Sequence, residues 1–265
     1  MHRVHRLLAA RRAVALGCAS LTAATAFSAA GDAAPPGCAA PPGSAPLHPR
    51  LVVANSRATT LLFTRLRDRE SSSRAFAHAA DRLMTLLAEE GLAHLPGVRA
   101  RSVETPCGAF SGLEGVEDAR ITAVSIVRSG DILLEAVRKA APGCSVGKIL
   151  IQRDEASPLK EPRLIYAKLP AAVRDPNQVV LLVDPMLATG GSCSMAIREL
   201  VRLGVAEERI VFLNVVSCPE GLRVLAREHP QVLVITAAVD DGLNAQSYIV
   251  PGLGDFGDRY FGTCE

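Results

Sequence analysis

Between Ile121 and Thr236 the chain alternates short, nearly unbroken apolar runs with segments whose apolar residues recur at helical spacing. The apolar runs are Ile121–Val127, Val146–Gln152, Leu164–Lys168, Val179–Val183, Ile210–Val216 and Val232–Thr236, all of strand length. Ile132–Ala140, Ser194–Leu203 and Glu220–Glu228 read as helices. Further upstream, Phe76, Ala79, Ala80, Leu83, Leu86 and Leu87 mark an amphipathic helix over Arg74–Glu90, with Gly91 expected as its C′ residue. Strands that are apolar on both faces and separated by helices predict an α/β fold, a parallel sheet flanked by helices. The chain carries no internal repeat.

Ahead of this pattern, composition is the only guide. Arg3, Arg6, Arg11 and Arg12 precede the first acid, Asp32, and the stretch from Ala13 to Ala30 is uncharged. A basic, acid-free, Ala/Ser/Thr-rich leader reads as an organelle transit peptide; a secretory signal and an unstructured extension are the alternatives. Its alanines, serines and threonines are too weakly apolar for a stable membrane span. Gly31 to Pro49 is a linker rich in Pro, Ala and Gly. Residues 1–49 are therefore expected to be extension and linker, and residues 50–265 one domain whose folding starts near Leu51. The expected location is intracellular, cytoplasmic or inside an organelle.

A chain of 265 residues, 49% of them hydrophobic, can bury a full core without metal or disulfide staples. A net charge of +2, with no basic run interleaved with aromatics, excludes the usual signature of a nucleic-acid or membrane-surface protein and points to small-molecule partners. The seven cysteines are dispersed and odd in number, with no CxxC pair, so they read as free thiols acting as small buried hydrophobes. Cys193 stands apart because it falls just inside an expected helix N-terminus, where a thiolate would be stabilised. Histidines are few, and His48, His78, His94 and His229 read as ordinary linker, helix or turn residues.

The chemistry concentrates in Val179 to Ser192. A buried strand delivers Asp184 at its C-terminal end, and Thr189-Gly190-Gly191-Ser192 then opens a helix. In open α/β sheets that end is where ligands bind. Free amides at a helix N-terminus form a cradle for a phosphate, Thr189 and Ser192 add hydroxyl donors, and a carboxylate at Asp184 suits sugar hydroxyls. An ordinary strand, turn and N-cap remains the alternative on physics alone. The loop lacks the Walker lysine and the spaced glycines of the dinucleotide fingerprint.

Asp184 to Ser192 (DPMLATGGS) resembles the phosphoribosyl-diphosphate loop of the uracil phosphoribosyltransferases, in the type I phosphoribosyltransferase superfamily. The resemblance extends to Val124–Gly130, Ile149–Glu155 and Tyr248–Thr263, and more weakly back to about Ala54. It departs at Ser129, where the family commonly has alanine.

The resemblance implies a type I phosphoribosyltransferase-like parallel sheet with a small C-terminal hood for the base. Its implied activity converts uracil and 5-phosphoribosyl 1-diphosphate to UMP and diphosphate, in pyrimidine salvage. Phosphoribosyl diphosphate would be held by Arg128, Arg153, Asp184, Pro185, Met186, Leu187, Ala188, Thr189, Gly190, Gly191, Ser192 and Asp255. Uracil would be read by main-chain groups of Ile249, Gly254, Asp255 and Phe256. Arg128, Asp184 and Asp255 are the implied catalytic set, with Mg2+ carried mainly by substrate and water rather than by protein ligands. A segment within Asp154 to Pro162 is expected to close over the site. GTP as activator and a homo-oligomeric state are further family expectations. A phosphoribosyltransferase for another base and a non-catalytic nucleotide-binding regulator are the rival readings.

Overall fold

The computed structural model describes residues 46–153 and 162–263. An eight-stranded sheet forms the middle layer. Its strands are β1 (Leu51–Val53), β4 (Ile121–Val127), β5 (Ser145–Arg153), β6 (Pro162–Lys168), β7 (Val179–Val183), β8 (Met186–Leu187), β9 (Ile210–Ser217) and β10 (Leu233–Val239). The order across the sheet is β1-β10-β9-β7-β4-β5-β6, with β8 continuing beside β9. Every pairing is parallel except β5 with β6. The expected parallel α/β sheet is thus present, with one antiparallel edge.

Helices cover both faces. On one side lie α1 (Arg57–Arg67), α2 (Ser73–Ala93) and α3 (Gly130–Ala140); on the other lie α4 (Gly191–Arg202) and α5 (Pro219–Glu228). Alternation along β7 shows why its sequence is apolar throughout: Leu181 and Val183 enter the first core, Val180 and Leu182 the second. Two small antiparallel pairs lie off the sheet, β2 (Arg99–Thr105) with β3 (Gly108–Glu114), and β11 (Gly242–Leu243) with β12 (Ile249–Val250). A short helix, α6 (Phe256–Phe261), ends the described chain.

Helix α2 corrects two expectations. Gly91 is not a C′ residue: the helix runs to Ala93, and Gly91 is buried where α2 crosses β9, with an added Cβ only 3.0 Å from Leu213 Cδ2. Leu86 faces solvent, and Met84 takes a core position instead. Helix α1, hairpin β2–β3 and α6 are additions to the elements expected from the apolar pattern. Among the described residues no helix is long and apolar enough to cross a membrane.

Leu47 packs against the second core and His48 is buried, just ahead of β1. Removing residues 1–45 is expected to leave thermal unfolding cooperative with an unchanged midpoint. Removing residues 1–50 should strip these contacts and lower Tm by roughly 4–8 °C, the consequence of about 2 kcal/mol in a chain of this size.

Candidate functional site

Strand β7 is buried along its whole length, so packing alone brings Asp184 to the C-terminal edge of the sheet. The next residues are tied to β9. The Asp184 amide donates to Leu213 O (3.3 Å), Val215 and Val216 donate to Pro185 O (2.9 and 3.0 Å), and the Cys218 amide donates to Leu187 O (3.1 Å). Gly190 then takes a left-handed conformation, φ 82°, as N-cap of α4, and its carbonyl accepts from Ser194 N (2.9 Å). A Cβ on Gly190 would lie 3.1 Å from both Gly221 O and Val224 Cβ. This glycine therefore serves the turn and the close approach of α5, not only open access to amides. Gly191 is under less constraint, its added Cβ meeting Pro162 Cγ at 3.3 Å.

Above this loop opens a cavity of about 750 Å3, within the range of small-molecule and cofactor sites. Its floor and one wall are Asp184, Met186 to Gly190, Ser192 and Cys193; the other wall is Ile249 and Gly254 to Gly257, with Ala245 to Tyr248 at the rim. The structure thus brings together two sequence motifs some sixty residues apart. Pro185 and Gly191 do not line the cavity; the carbonyl of Pro185 is turned to β9.

Burial pushes the Asp184 carboxyl up to about 7, against hydrogen bonds from the Met186 amide and the Ser129 hydroxyl that favour the ionised form. The Asp255 carboxylate across the cavity raises it further. Ser129 Oγ donates to Asp184 Oδ1 at 3.4 Å, so the one departure from the family motif bears directly on the acid. Asp255 is the N-cap of α6, its Oδ1 accepting from the Asp258 amide at 2.8 Å. Among the described residues no group of three His, Cys, Asp or Glu side chains is arranged to hold a metal ion.

Cys193 corrects another expectation. Burial, followed by the nearby Asp184, pushes its thiol well above the ordinary value, so no thiolate is stabilised at the start of α4. Cys218 is buried as well, whereas Cys107 is exposed and Cys144 is half-buried. Among the four cysteines of the described residues, a disulfide reagent should therefore modify Cys107 first, with Cys193 and Cys218 reacting only on unfolding. Labelling followed by peptide mapping checks this. His229 is also more than a turn residue: it is buried and contacts Ser194 Oγ (3.0 Å) and Glu207 Oε1 (2.8 Å), tying α4 to the end of α5.

Arg128 follows β4, and Gly130 behind it lets α3 start hard against β7, since a Cβ there would lie 2.6 Å from Val183 O. The Arg128 guanidinium does not line the cavity. It pairs with Asp258 Oδ1 (2.5 Å), donates to Thr263 Oγ1 (3.3 Å) and lies 5.5 Å from the centre of the Phe261 ring. It is nonetheless next to the lining residues Asp255 and Gly257, for a Cβ on Gly257 would meet its Nη2 at 3.1 Å and Asp255 Oδ1 at 3.4 Å. Arg153 is the last residue of β5. Residues 154–161, most of the expected closing segment, lie outside the described residues.

Sequence reasoning missed the rim residues Ala245 to Ser247, whose only signal was proximity to the Tyr248–Thr263 motif. It also missed Arg67 and Asp240, which hold the loop after β12 and carry no local signal.

A family model described as uracil phosphoribosyltransferase matches residues 53–263. The chain is 47% identical over 203 residues to the uracil phosphoribosyltransferase of Dictyostelium discoideum, covering 76% of this chain and 91% of that one. It is 42% identical over 219 residues to uracil phosphoribosyltransferase 1 of Schizosaccharomyces pombe, covering 82% and 97%. Among solved structures, an Aquifex aeolicus protein superimposes with a TM-score of 0.67 at 27% identity, covering 80% of this chain and 97% of that one.

Proposed function

The chain belongs to the uracil phosphoribosyltransferase family, and from that premise we propose how its residues divide the transfer of ribosyl phosphate to uracil. The carrying observation is that one cavity is lined both by an acid with a phosphate-type loop and by Ile249 and Gly254 to Phe256. One wall suits a sugar phosphate; the other offers backbone donors and acceptors to a flat base.

In this reading the amides from Ala188 to Ser192 hold the ribose 5-phosphate at the N-terminus of α4. Asp184 accepts hydrogen bonds from the ribose hydroxyls, which fixes the anomeric carbon for in-line attack by uracil N1. Bond breaking runs ahead of bond formation, so positive charge grows on the ribose while negative charge grows on the departing diphosphate. Arg128 and Arg153 serve that leaving group. Magnesium fits as a companion of the diphosphate, since Asp184 and Asp255 both line one cavity and the Asp255 carboxylate is close enough to raise the pKa of Asp184. When bound, the ion neutralises charge on the leaving group; Asp255 would face its water shell.

Arg128 reaches the diphosphate by exchanging one anion for another. Its pair with Asp258 is half exposed, with side-chain exposures of 52% and 38%. Such a pair is open to water and to screening by salt, so a multiply charged diphosphate displaces it readily. Arg128→Ala is expected to lower kcat roughly 10²–10³-fold, the usual consequence of losing one preorganised charge at a developing anion. Formation of UMP and diphosphate from uracil, phosphoribosyl diphosphate and magnesium measures this; a higher KM at unchanged kcat would make Arg128 a binding residue only.

Assembly into a homo-oligomer and activation by GTP extend the proposal. The first is supported by β2–β3, a two-stranded sheet that exposes Val103, Phe110 and Leu113, because isolated hairpins are marginal in water. Sedimentation tests the assembly, and a GTP titration of turnover tests the activation.

A further inference from the structure

The loop from Val250 to Asp255 carries the proposed base-reading groups at its ends, yet its middle is held by two charged residues far away in sequence. Arg67, at the end of α1, and Asp240, directly after β10, form a bidentate pair, with both nitrogen–oxygen distances 2.7 Å. Between them they hold both backbone groups of Gly252. Asp240 Oδ2 accepts from the Gly252 amide at 2.8 Å, and Arg67 Nη1 donates to the Gly252 carbonyl at 2.8 Å.

Asp240 is 5% exposed, so this hydrogen bond is shielded from competing water. The residue they hold is sharply folded: Gly252 has φ 58°, and an added Cβ would lie 2.0 Å from Ile249 O. The next carbonyl, Leu253, accepts from Arg259 Nη1 at 2.8 Å, and Arg259 also donates to Leu66 O and Asp68 O on either side of Arg67. The end of α1 is in this way stitched to the middle of the base loop.

Ile249 lies three residues before Gly252, and Gly254 two residues after it. A change in the Gly252 peptide orientation therefore moves both ends of the reading frame that faces the base. A rigid backbone discriminates between carbonyl and amine edges only while its amides cannot turn, because a mobile amide can swing away from a mismatched donor. We propose that Arg67 and Asp240 are positioning residues for base selection, which lock the Gly252 peptide and thereby the spacing of the Ile249 and Gly254 backbone groups. This rests on the reading that those groups contact uracil.

The test uses the full-length protein and four variants. Arg67→Lys keeps the charge but cannot pair with both Asp240 oxygens and the Gly252 carbonyl at once. Asp240→Asn keeps an acceptor for the Gly252 amide but turns a donor toward Arg67. For both, KM for uracil is expected to rise tenfold or more, while KM for phosphoribosyl diphosphate stays within about twofold, and the kcat/KM preference for uracil over cytosine falls about tenfold.

If preference and uracil KM hold while only Tm falls, the pair is structural and the proposal is overturned; should Asp240→Asn not fold, Arg67→Lys decides alone. Gly254→Ala, whose backbone at φ 82° strains any side chain, tests the underlying reading. If Gly254→Ala leaves uracil KM unchanged, base reading by this loop is wrong and the positioning role falls with it. If Gly254→Ala raises uracil KM and Arg67→Lys does not, only the positioning role is overturned. Leu66→Ala, which removes buried bulk from the same helix turn, should lower Tm without changing the preference between bases, and a changed preference would also count against the proposal.

Discussion

Replacing Asp184 by asparagine is expected to abolish most turnover and, at pH 8, to make the protein more stable. Its carboxylate would accept two hydrogen bonds from the ribose diol. Asparagine keeps one neutral acceptor and turns an NH2 toward the second hydroxyl, so one charged bond of about 1.5–3 kcal/mol is lost and the other weakened, lowering kcat/KM by roughly 10²–10³-fold. The stability gain comes from the same burial that suits the acid to a ligand. Its folded pKa of about 7 lies above the unfolded value of 3.8, so the folded protein binds the extra proton between those values.

Stability attached to this group is therefore fully present below about pH 4 and declines as pH rises through 7. Holding one proton more than the unfolded chain is worth roughly 1.4 kcal/mol per pH unit, so the loss by pH 8 is about 2–4 kcal/mol. Asparagine carries no charge to desolvate, so the variant should lack that decline. Denaturant titrations at pH 5 and pH 8 check it; equal losses in variant and parent across that range would refute this origin. The same ionisation makes phosphoribosyl diphosphate binding by the parent protein improve as pH rises through about 7.

The second large effect is expected for Gly190→Val. A β-branched side chain at φ 82° is strained, and its Cβ would stand 3.1 Å from Gly221 O and Val224 Cβ. Neither neighbour can yield cheaply: Gly221 O is backbone, and Gly221 is itself packed so closely that a Cβ there would lie 2.6 Å from Ala188 O. Strain and overpacking together should cost roughly 2–4 kcal/mol and move the Ala188–Gly191 amides away from the phosphate.

Affinity for phosphoribosyl diphosphate should then fall about a hundredfold, the consequence of losing about two or three kcal/mol of preorganised contacts. Gly204 provides the control, having φ 97° with nothing within 4 Å of an added Cβ. Gly204→Ala should lose stability through backbone strain alone and keep its affinity. Calorimetric binding of phosphoribosyl diphosphate to the two variants separates these effects; parent-like affinity in Gly190→Val would remove the loop from the phosphate site.

The central strands were legible because each lies between two covered faces and so has no polar phase. β7, expected over Val179–Val183, has those same bounds. Elements that cover less of the core gave weaker signals. β2 is exposed at every residue and β3 nearly so, which leaves no alternation to read. Helix α1 begins with a reciprocal Ser56–Thr59 cap, whose Ser-x-x-Thr pattern replaces the more familiar Ser-x-x-Glu. Gly91 looked like a stop because glycine commonly is one; only the long-range contact with Leu213 shows why it continues the helix.

In the site, Asp184 and the glycines were readable as a local strand, acid, turn and helix order. Arg67 and Asp240 were not, since their meaning lies in a contact with Gly252, which in sequence is 185 residues from Arg67. Arg128 was readable as a motif residue, but its pairing with Asp258 depends on where the C-terminal helix α6 docks.

The central claim is that one cavity chooses uracil through backbone groups while holding phosphoribosyl diphosphate through the Asp184 loop. The most direct test compares kcat/KM for uracil, cytosine, orotate and hypoxanthine with phosphoribosyl diphosphate and magnesium. Cytosine sets a donor where uracil has an acceptor, and an unpaired buried polar group costs about 1–3 kcal/mol, so it should be disfavoured by roughly tenfold to a hundredfold or more. Orotate meets no charged side chain from Ile249 to Gly254 that could pair its carboxylate, and in this reading hypoxanthine should be rejected on size, because a base site walled by backbone does not widen by a rotamer change. The prediction is UMP from uracil with the other three bases well behind; comparable rates for uracil and hypoxanthine, or a preference for orotate, would contradict it.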